Sequence, residues 1–337
     1  MNERPRITDG RRRSPRCRPP VRRLLAVAAA AAAVSAAGCS SQSTATQTAH
    51  PADSNIVVAA VPATGAAGLY IAEQRGLFAA AGLHVTIESS VSAADVIPDL
   101  INGSVDVSLG QWTSALAVAG RGIGLRAIGP GNSGGVGLEE IVVGSHSPIT
   151  RLAQLKGATI AVNALSGLSQ LVTESVLAQA GVTPAQVHFT VIPFPDMAAA
   201  LAAHRVGAAL MIQPYLAKAG HQVTELADID QGATQDFPIT GYVATAAWVQ
   251  KNRAVAASFS RALSQGQKIA ATDRAAVNQA VVKYVGVSGQ AAASMTLGAF
   301  PLSVSAADLN RVATMMQSYG ILPKSVNIAT VAAGMIG

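Results

Sequence analysis

The chain has 337 residues, of which 50% are hydrophobic and 12% charged. That length supports a sizeable core or two ordinary domains, and the excess of apolar over charged residues excludes an intrinsically disordered chain. The net charge of +6 is uneven: residues 1–38 carry nine arginines against Glu3 and Asp9, and the remainder, with 15 basic and 16 acidic residues, offers no basic face for nucleic acid.

Residues 1–23 are rich in Arg and Pro, and residues 24–34 are apolar and uncharged. The apolar run is too short to span a bilayer as a helix and suits the hydrophobic region of a signal peptide. Ser35-Ala36-Ala37-Gly38-Cys39 follows. Small residues in the three positions before a cysteine resemble the lipobox of bacterial lipoproteins, with Ala36 where leucine is usual. The resemblance implies that 1–38 is a removed signal peptide and that Cys39 is acylated and becomes the mature N-terminus. A plain secretory signal with an incidental cysteine is the alternative. Cys17 lies in the discarded part, so no internal disulfide remains. Arg22-Arg23-Leu24-Leu25 weakly resembles a twin-arginine export signal, and the poor signal character of residues 1–20 points to Val21 as a translation start. Residues 39–54 are polar, without apolar periodicity, and read as a flexible tether in which His50 is solvated.

The folded part opens with a short apolar run, 56–61, read as a buried strand, and a Gly-rich turn over 62–68. Leu69, Ala72, Leu77 and Ala80 share one face of a helix predicted over 69–81 and stopped by Gly82. Residues 84–88 alternate as a strand does, 93–102 is a helix closed by Gly103, and 105–109 is the next strand. This β-α-β-α-β order predicts a parallel sheet with helical crossovers. The order then repeats: strand 158–162, helix 166–180 ended by Gly181, strand 187–192, helix 195–203 with Asp196 near its positive end, and strand 208–212. Beyond 242–245 the pattern turns helical, with amphipathic stretches at 254–271, 274–285 and 306–319. The chain therefore holds two α/β lobes built alike.

Several segments carry a family resemblance. They are Gly68-Leu69-Tyr70-Ile71-Ala72 followed by Gly76-Leu77-Phe78 and Gly82-Leu83; Leu100-Ile101-Asn102-Gly103-Ser104-Val105-Asp106; and Ser147-Pro148-Ile149 before residues 152–157. Pro195-Asp196-Met197-Ala198-Ala199-Ala200-Leu201 and Gln213-Pro214-Tyr215 add to them, while Gly207 stands where an acidic residue is common. In this order and spacing, over roughly 55–325, they resemble the solute-binding lipoproteins of ABC importers in the nitrate/sulfonate/taurine family. The resemblance implies a two-lobed α/β fold of the periplasmic-binding-protein-like type II class, each lobe a mainly parallel sheet flanked by helices. Two crossovers are expected near 140–143 and 241–245, giving lobe 1 as 55–143 plus 243–337 and lobe 2 as 144–242. It further implies a small-molecule solute held in the interlobe cleft, a permease and ATPase as partners, and a monomer. The chain would be lipid-anchored to the outer face of the bacterial cell membrane, with no enzyme activity and no cofactor.

The cleft should be lined by loops after strands, as in open α/β sheets generally. Candidate ligand-binding residues are Thr64 and Gly65, then Gln111, Trp112 and Thr113, then Asn163, Ser166 and Ser169, then Gln213 and Tyr215, and Thr240. Trp112 either stacks on the ligand or packs between lobes; Ser166 and Ser169 either cap a helix or leave its N–H groups to an anion. These loops contain no Arg or Lys, so an organic solute with a polar or anionic head, such as an alkanesulfonate or taurine, is expected over bare nitrate.

Other classes are weighed against this. Ser166 sits like a nucleophile elbow, but Ala164 and Leu168 replace the glycines that motif needs. The histidines lack i,i+4 pairing and no cysteine cluster exists, so no metal site is expected. The G-x-G-x-x-G run at 129–134 is a chance match, because no helix follows. The same fold serves thiamine-precursor enzymes, whose Cys-rich motif this chain lacks. A binding protein for a thiamine-precursor pyrimidine or another heterocyclic vitamin precursor stays open, as does a surface receptor without transport.

Overall fold

The computed structural model describes residues 54–90, 96–230 and 232–336. The signal peptide, Cys39 and most of the tether lie outside the described residues. Ser54, expected as the last tether residue, instead opens the first strand, with its N–H on the Gly82 carbonyl.

The described strands form two five-stranded sheets. β1 (Ser54–Ala60), β2 (Leu83–Ser89), β3 (Val107–Gln111) and β4 (Leu125–Pro130) belong to the first. β5 (Glu139–Gly144), β6 (Thr159–Val162), β7 (His188–Val191), β8 (Ala208–Ile212) and β9 (Val223–Asp228) make the second, and β10 (Thr240–Thr245) returns to the first. The orders are β2-β1-β3-β10-β4 and β7-β6-β8-β5-β9. In each sheet four strands run the same way and one lies antiparallel between its neighbours: β10 in the first sheet, β5 in the second.

Each antiparallel strand is the first one laid down after the chain changes sheets. Residues 131–138 make the outward crossing and 229–239 the return. The crossovers expected at 140–143 and 241–245 are therefore misplaced: both lie inside strands. Ile141, Val142 and Val143, and likewise Tyr242, Val243 and Ala244, are buried apolar residues in the middle of their sheets. The crossing is left to the glycines at 131, 134 and 135 and to the segment before Pro238, which resist strand pairing. The lobe boundaries move with them, to 139–228 for the second sheet.

The helices before and within the second sheet's segment are α1 (Ala67–Gln74), α2 (Leu77–Ala80), α3 (Val96–Asn102), α4 (Trp112–Ala119), α5 (Leu168–Gln179), α6 (Phe194–Ala202) and α7 (Tyr215–Ala219). The helix expected over 69–81 is split, because Gly76 adopts a left-handed φ of 66° that only glycine takes without penalty. The strand expected at 105–109 begins and ends two residues later, and α4 starts directly after it. After β10 come α8 (Ala246–Lys251), α9 (Arg253–Thr272), α10 (Arg274–Val285), α11 (Gly289–Ser294), α12 (Ala306–Ser318) and α13 (Ile328–Ile336).

These last helices pack back on the first sheet. The buried face of α9, with Phe259, Ala262 and Leu263, meets Leu69, Tyr70 and Ala72 of α1. Leu309, Val312 and Met316 of α12 join Trp112, Leu116 and Leu125 in a second cluster. Among the described residues no helix is long and apolar enough to cross a membrane.

Candidate functional site

A cavity of about 60 Å³ lies between the two sheets. Its wall is built from the carboxyl ends of parallel strands and the loops that leave them. Val61 and Ala63–Ala66 follow β1, Leu109–Gln111 end β3, Asn132 follows β4, Asn163 follows β6, Phe194 follows β7, Ile212 ends β8 and Gln213 follows it. The two antiparallel strands contribute their first residues, Glu139 of β5 and Thr240 of β10, with Leu138 and Ile239 beside them.

The structure brings Thr64, Gly65, Gln111, Asn163, Gln213 and Thr240 to this wall, as expected from the loops. Thr240 Oγ1 donates to Asn132 Oδ1 at 2.6 Å and accepts from the Asn132 N–H at 3.1 Å, tying the outward crossing to the start of β10. Gln213, joined to Pro214 by a cis peptide bond, donates to the Gly137 carbonyl at 3.1 Å and accepts from Ala217 N–H at 3.2 Å.

The other expected residues are elsewhere. Trp112 is 2% exposed and is the first residue of α4, not part of a loop. Its ring lies so close against Gly241 that a Cβ there would overlap it. Stacking on a ligand is corrected to packing: β3 runs on to Gln111, and the turn into α4 swings the indole into the core. Thr113 follows it inward, with Oγ1 buried and unpartnered. Ser166 is exposed, with φ 55°, and its N–H binds Gln170 Oε1. It caps nothing, since the N-cap of α5 is Gly167 without a side-chain bond. Ser169 is buried and donates to Asn163 Oδ1. Tyr215 lies beside the cavity, not in its wall; its ring stacks on Phe194 at 6.0 Å and its hydroxyl donates to the Pro62 carbonyl at 2.7 Å. Burial pushes that hydroxyl up to about 12.

Among the described residues two hydrogen bonds thus span the cleft: Tyr215 to Pro62, and the Leu168 N–H to Gln111 Oε1 at 3.3 Å. The second occupies an N–H at the start of α5 that the sequence left for an anion.

Sequence reasoning missed Asn132, Glu139 and Phe194. Asn132 sat inside the chance G-x-G-x-x-G match. Glu139 carried no signal beyond being an acid ahead of an apolar run. Its carboxyl is buried (6% exposed) and is pushed up to about 8, first by burial and then by Asp230 and Asp228. Asp230, also buried, is raised to about 7, chiefly by burial. Its Oδ2 has no partner among the described residues, whereas Asp228 accepts from the Gly137 and Asp230 N–H groups. No Lys, Arg or His lines the cavity. Among the described residues no acid, histidine or cysteine group is placed to hold a metal.

Two α/β lobes facing each other across such a cleft define the periplasmic-binding-protein-like fold, and solved structures align over most of this chain. The alkanesulfonate-binding protein SsuA of Xanthomonas axonopodis pv. citri, bound to MOPS, is 19% identical with a TM-score of 0.69, covering 84% of this chain and 98% of that one. The aliphatic sulphonate-binding SsuA of Escherichia coli is 20% identical with a TM-score of 0.65, covering 85% and 92%. The nitrate-binding NrtA of Synechocystis PCC 6803 is 16% identical with a TM-score of 0.71, covering 85% and 86%. The family model described as NMT1/THI5 like matches residues 63–276, and the chain belongs to that family. No curated protein matches the sequence.

Proposed function

We propose that the chain is the solute-binding component of an ABC importer, exported, lipid-anchored through Cys39, and delivering its solute to a membrane permease. The observation that carries this reading is the cavity itself, a small space walled by buried polar side chains from both sheets and bridged by Tyr215 and Gln111. The likeness to the sulfonate- and nitrate-binding proteins supports it at the level of fold. In this reading the solute is a small organic anion such as taurine or an alkanesulfonate. Its head group is held by the neutral donors of Thr64, Gln111, Asn132 and Asn163. A thiamine-precursor pyrimidine is the second reading, favoured by Glu139 as an acceptor for a ring amino group and by the flat face of Phe194 in the wall. The role is capture by lobe closure, with no chemical step.

The test is a thermal-shift panel of taurine, alkane- and arylsulfonates, nitrate and the pyrimidine. A ligand at a hundred times its Kd raises stability by about 2.7 kcal/mol, a readily visible shift. A melt unmoved by every compound, on folded ligand-free protein, would count against the importer reading. Closure has its own check. Tyr215→Phe removes one bridging hydrogen bond, worth about 1 kcal/mol. It should weaken solute binding roughly fivefold and enlarge the radius of gyration of the liganded protein in small-angle scattering. An unchanged radius would separate Tyr215 from closure.

A further inference from the structure

Resting on the solute-binding reading, we infer that Glu139 is a specificity-determining residue: it selects solutes that present an ammonium or amino group to the cavity and disfavours those that offer only an oxyanion. Three observations support this. The Glu139 side chain is buried yet lines the cavity, and no hydrogen bond reaches its carboxyl from the described residues. The other polar wall residues are hydroxyls and amides, with no cation among them. The charged groups nearest to it, Asp230 from the return crossing and Asp228 from the end of β9, are of the same sign.

A buried carboxyl without a partner is costly, and it is relieved either by keeping its proton or by meeting a donor. The described residues supply no donor, so the place left for one is the cavity. An N–H-bearing solute fills that place and turns the cost into a charge-assisted hydrogen bond. A sulfonate or nitrate oxygen put there can accept a hydrogen bond from the neutral acid's O–H, but faces a repelling carboxylate once Glu139 ionises. Zwitterionic aminosulfonates and amino-substituted rings meet the requirement; simple alkanesulfonates and nitrate do not.

The experiment uses matched pairs differing in the amino group: taurine against isethionate, and 4-aminopyrimidine against pyrimidine. Each is titrated by calorimetry, at a mildly alkaline pH that ionises Glu139, into the wild-type protein and into Glu139→Gln. In the wild type, the amino partner of at least one pair should bind about tenfold tighter or more, which is about 1.4 kcal/mol. Glu139→Gln keeps the shape and removes the charge, and should shrink the gap to roughly threefold or less. If that variant fails to fold, the wild-type pH profile serves: affinity for the amino partner should rise from mildly acid to mildly alkaline pH, as the carboxyl ionises, while that of the amino-free partner does not. Amino-free partners binding equally well or better, or a gap unchanged in Glu139→Gln, overturns the role of Glu139 and leaves solute binding standing. No binding by either amino compound overturns it as well, and the wider panel then decides the solute-binding reading separately.

Discussion

Trp112→Ala is expected to destabilise the protein by about 3–5 kcal/mol, the usual cost of emptying a large buried aromatic site. The indole is among the largest fully buried side chains and belongs to the cluster that holds α12 and α13 to the first sheet. Gly241 in β10 is shaped around it, while the backbone bond from residue 112 to the Ile239 carbonyl is kept in the variant, so the loss is one of packing. A drop of roughly 5–10 °C in the melting temperature follows for a chain of this size. Urea unfolding of wild type and variant measures it. The opposite result, a nearly unchanged melt with weakened solute binding, would return Trp112 to a ligand-stacking role.

Gly266→Ala should be almost as damaging. Gly266 lies where α9 crosses α1, and a Cβ there would land on the Gly68 carbonyl oxygen and within 2.9 Å of the Ala72 Cβ. The obstructing atoms belong to backbone or to a side chain with no rotamer to move, so the helices must part. Overpacking of this kind costs about 3 kcal/mol. Because α1 continues directly from the Thr64–Ala66 turn in the cavity wall, the displacement should also reach the cleft. Gly289→Ala is the control, since nothing lies within 4 Å of its added Cβ. Equal melting temperatures for the two variants would remove the close-packing account of Gly266.

The elements that were legible in the sequence are those whose side chains report their environment directly. β1 is a continuous apolar run because both faces are covered, and α10 has the 274–285 bounds that its periodicity and flanking residues give. The crossings were not legible. β5 and β10 lie inside their sheets only because strands far away in sequence flank them, and nothing local separates a buried linker from a buried strand. The site divides along the same line. Thr64 and Gln213 follow strands and Gln111 ends one, so all three could be placed by that rule alone. Trp112 could not, because one extra residue of strand decides whether it faces the cleft or the core. Glu139 could not, because its meaning depends on Asp228 and Asp230, which are distant in sequence.

The exchange of strands between the sheets bears on how the chain acquires its structure. The second sheet is drawn from one unbroken stretch, β5 to β9, and can assemble once that stretch is available. The first cannot. β3 and β4 are separated in the sheet by β10, which arrives more than a hundred residues after β4 ends. Until then the first lobe lacks a central strand, and its apolar edges stay unpaired. As the chain emerges from its N-terminus, the lobe begun first is therefore the one finished last, and the cavity wall, which needs Thr240, cannot form before it.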